Sequence, residues 1–117
     1  MTPEELKRRT KAFAVQVIRF AEGLPRGRSV DIIARQLVKA GTSVGANYRA
    51  ACRGRSRADF KSKIGITLEE ADETLYWLEI LTEAATVNRE SVTNLMKEAN
   101  ELVAIFTANA KTPKQPG

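Results

Sequence analysis

The feature that most constrains the fold is the spacing of apolar residues, which is helical along nearly the whole chain. Leu6, Phe13, Val17, Phe20 and Leu24 recur at intervals of three, four and seven. They fall on one face of a helix predicted from about Glu4 to Leu24. Pro3 suits a helix start, and Glu4 and Glu5 suit the positive end of the helix dipole. The run GLPRGRS then breaks the pattern with Gly23, Pro25 and Gly27.

A second helix is predicted from about Val30 to Arg53, with Ser29 as its N-cap. Its core row is Ile33, Leu37, Ala40, Val44, Asn47 and Ala51. Beside that row lie mostly small residues: Ala34, Val38, Gly41, Gly45, Tyr48 and Cys52. Glycine weakens a helix interior by about 1 kcal/mol relative to alanine, so two of them four apart point to another helix approaching closely. Gly54 ends this helix, and Ser56 with Asp59 forms an S-x-x-D helix start. The third helix runs from about Arg57 to Ala85, with a core row of Phe60, Ile64, Leu68, Ala71, Leu75, Leu78 and Ala85. After a break at Thr86 to Asn88, a fourth helix from about Arg89 to Ala110 buries Val92, Leu95, Met96, Ala99, Val103 and Phe106. The tail 111–117, KTPKQPG, has two prolines and no apolar anchor and is predicted to be disordered.

Four amphipathic helices with short connections make an all-α, antiparallel up-down-up-down four-helix bundle over residues 1–110. No apolar run approaches the roughly 20 residues needed to span a bilayer, so no membrane role is expected. The charged start MTPEELKRRT lacks the apolar stretch of a signal peptide, and a cytoplasmic location is the default. One cysteine, Cys52, and no histidine exclude an internal disulfide, a zinc site of several Cys or His ligands, and histidine acid–base chemistry. No nucleophile–base pair assembles, and no metal or other cofactor is expected; the chain does not read as an enzyme.

Charge is distributed unevenly. Residues 1–63 hold 15 Lys/Arg and 5 Asp/Glu, against 4 and 9 in residues 64–117. The split suggests internal pairing, a basic binding surface, or both. Its densest part is NYRAACRGRSRADFKSK, with Arg49, Arg53, Arg55, Arg57, Lys61 and Lys63 around the turn between the second and third helices. Guanidinium forks beside the exposed N–H groups of a helix start suit phosphate, most naturally a nucleic-acid backbone. The alternative is that Glu69, Glu70, Asp72 and Glu73 of the third helix, or a neighbouring subunit, pair with these cations.

The third helix carries a second apolar strip. At 100° per residue, Trp77 lies about 120° from the core direction, with Ile66, Tyr76 and Ile80 farther still. A lone bundle leaves this strip outside, and large aromatic residues are what interfaces use as anchors. Ile66, Tyr76, Trp77 and Ile80, together with Gly41 and Gly45, are therefore the expected oligomer interface.

The segment QLVKAGTSVGANYRAACRGRSRADFKSKIGITLEEADETLYWLEIL resembles the family of four-helix-bundle proteins encoded by intervening sequences in bacterial 23S ribosomal RNA genes. The likeness covers roughly residues 10–106. It rests on Ser43 then Asn47, the arginine-rich turn with Arg55 and Ser56, Phe60, and the Glu-rich third helix. Where the commoner pattern has an acidic residue three positions after the asparagine, Ala50 stands here. That family is similar in turn to the accessory protein of diversity-generating retroelements, a pentameric barrel that binds reverse transcriptase and nucleic acid. The resemblance implies a homopentamer, a basic surface for RNA or DNA, and a reverse transcriptase as a partner. Two functions stay open: a nucleic-acid-binding accessory protein, or a scaffold whose target is another protein.

Overall fold

The computed structural model describes residues 1–85 and 87–111; of the tail expected to be disordered at 111–117, Lys111 is helical and the rest lies outside the described residues. Helices α1 (Pro3–Glu22), α2 (Arg28–Cys52), α3 (Arg57–Ala84) and α4 (Arg89–Lys111) account for nearly all the described residues, which include no strand. A helix of α3's length spans about 42 Å, so the helices run along the 53 Å long axis of a molecule 23 by 20 Å across. The chain is an antiparallel up-down-up-down four-helix bundle, with α2 against α3 as its most extensive seam and α1 against α4 as its slightest.

Local chemistry sets each boundary. Thr2 caps α1 by accepting the Glu5 N–H at 3.1 Å, and Pro3 occupies the first helical position. Pro25 disfavours helical geometry at Leu24. Helix α1 therefore stops at Glu22, while the Leu24 side chain is still buried. Ser29 is not the cap of α2. That helix starts two residues earlier than expected, with Gly27 in the cap position and no side chain to offer. Asp31 reaches back instead, pairing with Arg26 at 3.2 Å and accepting the Gly27 N–H at 3.5 Å. Ser56 caps α3 as expected, accepting the Asp59 N–H at 3.1 Å. Asn88 caps α4 by accepting the Ser91 N–H at 2.9 Å.

All five residues of the predicted α1 row are buried, as are Leu37, Ala40, Val44 and Ala51 of α2 and Val92, Leu95, Ala99 and Phe106 of α4. The inward row of α3 is Ile64, Thr67, Ala71, Thr74, Leu78 and Leu81, a three–four alternation that includes two threonines. Burying a hydroxyl is costly unless it is bonded. Thr10, Thr67 and Thr74 each donate to the carbonyl four residues earlier, at 2.9, 2.8 and 2.7 Å, so each hydroxyl is satisfied within its own helix. Asn47 is half-buried rather than core and behaves similarly, donating to the Ser43 carbonyl at 2.9 Å. Among the described residues it makes no hydrogen bond to another helix.

The slight α1–α4 seam is closed by charge. Arg9 donates to Glu98 through Nε at 2.6 Å and a terminal nitrogen at 2.7 Å, and to Glu101 at 2.6 Å. The hydrogen bonds to Glu98, joined by Glu101, hold the guanidinium above its ordinary pKa. Part of the charge asymmetry in the sequence is therefore internal pairing between the basic N-terminal and acidic C-terminal halves. Bidentate, partly shielded pairs are worth more than open surface ones. Replacing Arg9 with alanine is expected to lower unfolding free energy by about 1–2 kcal/mol, read as a lower urea midpoint by circular dichroism.

Candidate nucleic-acid interface

Up-down-up-down topology brings the start of α1, the end of α2, the start of α3 and the end of α4 to one end of the bundle. Two positive and two negative helix ends meet there, so their dipoles largely offset. Side-chain charge decides the potential, and at this end it is basic. Arg49 is exposed in the last turn of α2, Arg53 at its C-cap, Arg55 in the turn, and Arg57 and Lys61 in the first turns of α3.

Asp59 organises this turn. One carboxylate oxygen accepts the Arg55 N–H at 3.1 Å and the other takes the Lys63 ammonium at 2.8 Å. The bond to Lys63, then that to Arg55, holds the Asp59 carboxyl below its usual pKa. The S-x-x-D spacing marks the helix start, but it does not show that this aspartate also consumes a cation of the cluster. Lys63 is thus neutralised in place and leaves the anion-binding set.

Arg49, Arg53, Arg55 and Lys61 are exposed and Arg57 is half-exposed. Among the described residues none of these five makes a side-chain hydrogen bond or an ion pair. The α3 acids do not reach them within the chain. Glu73 is occupied as acceptor of the Trp77 indole N–H at 3.1 Å. Glu70 is partly buried, and that burial, reinforced by Glu73, raises its pKa. Five uncompensated cations at one end of a bundle attract polyanions and offer guanidinium forks for phosphate.

The second predicted site divides. Ile66 and Tyr76 are exposed at 41 % and 52 %, Trp77 and Ile80 are half-buried, and the Tyr76 and Trp77 rings meet edge to face at 5.1 Å. Ile66 and Tyr76 thus lie on the outer side of α3, while Trp77 also packs against the chain's own core. Gly41 and Gly45 do not belong to it, because both are buried inside the chain. A β-carbon at Gly41 would lie 2.8 Å from a Val17 methyl, and one at Gly45 3.2 Å from the Thr10 hydroxyl. The helix they admit is α1 of the same chain, and these two residues are corrected out of the intersubunit set.

Among the described residues no three His, Cys, Asp or Glu side chains converge as a metal site, and no helix is long and apolar enough to cross a membrane. Cys52 is a free, half-buried thiol.

Fold and site together define a small antiparallel helical bundle with one basic end and one uncovered apolar flank. The chain belongs to the 23S rRNA-intervening sequence protein family, whose model matches residues 4–108. It is also similar, at TM-score 0.83 and 34 % identity, to the crystal structure of a protein with unknown function from the S23 ribosomal protein family of Bacteroides thetaiotaomicron VPI-5482. That alignment covers 91 % of this chain and 98 % of the other. No curated protein sequence matches the chain.

Proposed function

We propose that this protein is a non-enzymatic, oligomeric accessory protein that binds nucleic acid through the phosphates at its α2–α3 turn. The observation that carries the reading is the set of five cations, Arg49, Arg53, Arg55, Arg57 and Lys61, without internal partners. Like charges gathered at one end repel one another, and none of these five is paired with an acid among the described residues; a polyanion relieves them. Each phosphate neutralised releases counterions, so affinity falls steeply with salt and depends little on sequence. Filter binding of RNA and duplex DNA at low and high salt tests this. Binding at low salt that weakens by orders of magnitude between about 50 and 200 mM supports it. Absence of binding at low salt refutes it.

The oligomer rests on a separate observation, the outer strip of α3 made by exposed Ile66 and Tyr76 with half-buried Trp77 and Ile80. A heterologous contact of one bundle with the next closes into a ring when the rotation permits, and the pentamer is the state the retroelement resemblance implies. Repetition of a basic end around a ring turns a modest contact into avid binding. In sedimentation equilibrium the protein is expected to be oligomeric at tens of micromolar. Trp77→Ala is expected to weaken association about 30-fold, the equivalent of about 2 kcal/mol for an aromatic anchor. A wild-type monomer at that concentration removes the oligomer from the reading.

The scaffold reading also has an observation in its favour: Glu69, Asp72, Glu79 and Glu83 on α3 are exposed and have no partner within the described chain. If a neighbour's arginine turn pairs with them, raising the salt concentration dissociates the oligomer and frees no nucleic-acid site. If the turn faces nucleic acid, salt releases the nucleic acid and leaves the oligomer intact.

A further inference from the structure

Charge accounts for the rim of this end but not for the cavity within it. Between the four helix ends lies an open cavity of about 690 Å³, whose walls include Leu6 of α1, Tyr48 and Cys52 of α2, Phe60 of α3, and Ile105 and Asn109 of α4. Its size falls in the range of small-molecule sites, about 300–1,000 Å³, and such sites pair apolar walls with a few placed polar groups. The Tyr48 ring is held rigid here, 4 % exposed and tilted against Phe106 at a centroid distance of 5.5 Å. The Asn109 amide has no hydrogen-bond partner among the described residues. An amide presents a donor and an acceptor side by side, the pattern that pairs with a base edge.

The arginine turn connects two walls of this cavity. Arg53 directly follows Cys52, and Arg57 precedes Phe60 by three residues, a spacing that makes side chains neighbours on a helix. Unpaired cations therefore follow the walls by one residue at Cys52 and precede them by one helical turn at Phe60, and Lys7, paired with Glu4, lines the cavity itself. A hydrophobic ligand alone explains the walls but not the unpaired arginines, whereas inorganic phosphate explains the arginines but not the walls. A nucleotide in a single strand matches both, because its backbone is anionic and its base is planar, apolar on its faces and polar at its edge. In a duplex that base is locked in the stack.

We propose that this cavity receives one unstacked base of a single-stranded nucleic acid whose phosphates lie on the arginine turn, so that the target is single-stranded. The proposal rests on the phosphate reading above and adds the strand type and the base site. Phe60 supplies a stacking face at the mouth, and Asn109 meets the base edge.

Cys52, the sole cysteine, is a built-in reporter in the cavity wall. The test is the rate of its alkylation by iodoacetamide at low salt. The additions are a single-stranded RNA oligonucleotide, the same backbone with abasic positions, a matched duplex, inorganic polyphosphate, and oleate. Saturating intact single strand is expected to slow alkylation about tenfold, while the abasic strand, duplex and polyphosphate leave it nearly unchanged. Equal protection by polyphosphate or the abasic strand overturns the base site, since charge alone then closes the cavity. Tight, salt-sensitive binding of the intact strand without protection overturns the base site but leaves the phosphate reading standing. Failure of every nucleic acid to bind removes both. Protection by oleate but not by the oligonucleotide assigns the cavity to an apolar chain and overturns the proposal. Phe60→Ala tests the stacking face. Because Phe60 also packs against the core, Asn109→Ala, at the cavity margin, is the companion variant. It is expected to keep phosphate binding and to lose discrimination among homopolymer bases; unchanged discrimination removes Asn109 from the site.

Discussion

Gly41→Leu is expected to destabilise the bundle by about 3 kcal/mol or more, at the upper end of what overpacking a core costs. The distances leave little room. A β-carbon at Gly41 meets both Val17 methyls at 2.8 and 2.9 Å and the Val17 β-carbon itself at 3.1 Å. Rotating the Val17 side chain does not move its β-carbon, so relief requires α1 to shift away from α2. Such a shift disturbs the packing of the other buried residues of α1, Phe13 and Phe20 among them. Gly41→Ala sets two effects against each other. Alanine gains about 1 kcal/mol of helix propensity, but it forces the Val17 contact, and the net is expected to be destabilising. Gly65→Ala provides the opposite sign. Nothing lies within 4 Å of its β-carbon position, so the same propensity gain appears uncancelled and the variant is stabilised by about 0.5–1 kcal/mol. Urea unfolding followed by circular dichroism measures all three. Val17→Ala combined with Gly41→Ala completes a double-mutant cycle, and a coupling that restores stability locates the clash at this pair.

The same glycine shows how far the sequence could be read. Two glycines four apart announce a close helix approach, but periodicity on one helix carries no record of which partner approaches. Complementary residues on α1 were the missing signal: Thr10 and Val17, seven apart, present compact side chains that meet Gly45 and Gly41. The α1 core row was fully legible because large apolar residues at helical spacing have no competing explanation. Thr67 and Thr74 were not, because a threonine scores as polar until its hydroxyl is known to bond back to its own helix. The α2 start was misplaced for a related reason: serine is a better cap than glycine, yet Asp31 stabilises the turn from inside the helix. The cluster of cations was visible as a run of residues. Its reduction to five depends on Asp59 capturing Lys63 at 2.8 Å. The cavity beside it was invisible, since its walls come from four chain segments joined only by the topology.

Two of the arginines that line this turn are placed against the dipole of their own helix, and that gives the last prediction its force. Arg55 and Arg57 stand at the start of α3, where positive charge is disfavoured by the helix dipole. Arg53 enters the turn through its backbone, whose N–H donates to the Ala50 carbonyl at 3.1 Å, so alanine preserves that bond. The combined variant Arg53→Ala/Arg55→Ala/Arg57→Ala is therefore expected to fold and assemble with an unchanged or slightly raised unfolding midpoint. Nucleic-acid binding is expected to fall on the order of 100-fold at low salt. The slope of log affinity against log salt should become shallower by about 2 for single strands, from about 0.7 per lost phosphate contact over three contacts. Lys63→Ala is the contrasting change. It breaks the ion pair with Asp59, so the carboxyl loses the main contact that depresses its pKa. A carboxylate with a depressed pKa contributes stability above its unfolded pKa and loses it as pH falls through the folded one. Lys63→Ala should reduce that acid-sensitive part of the unfolding profile, leaving the share due to the Arg55 N–H, while the salt slope of binding stays nearly intact. A triple-arginine variant that assembles and binds nucleic acid like the wild type would show instead that these side chains serve contacts between subunits, and their partners should then be sought among the exposed acids of α3.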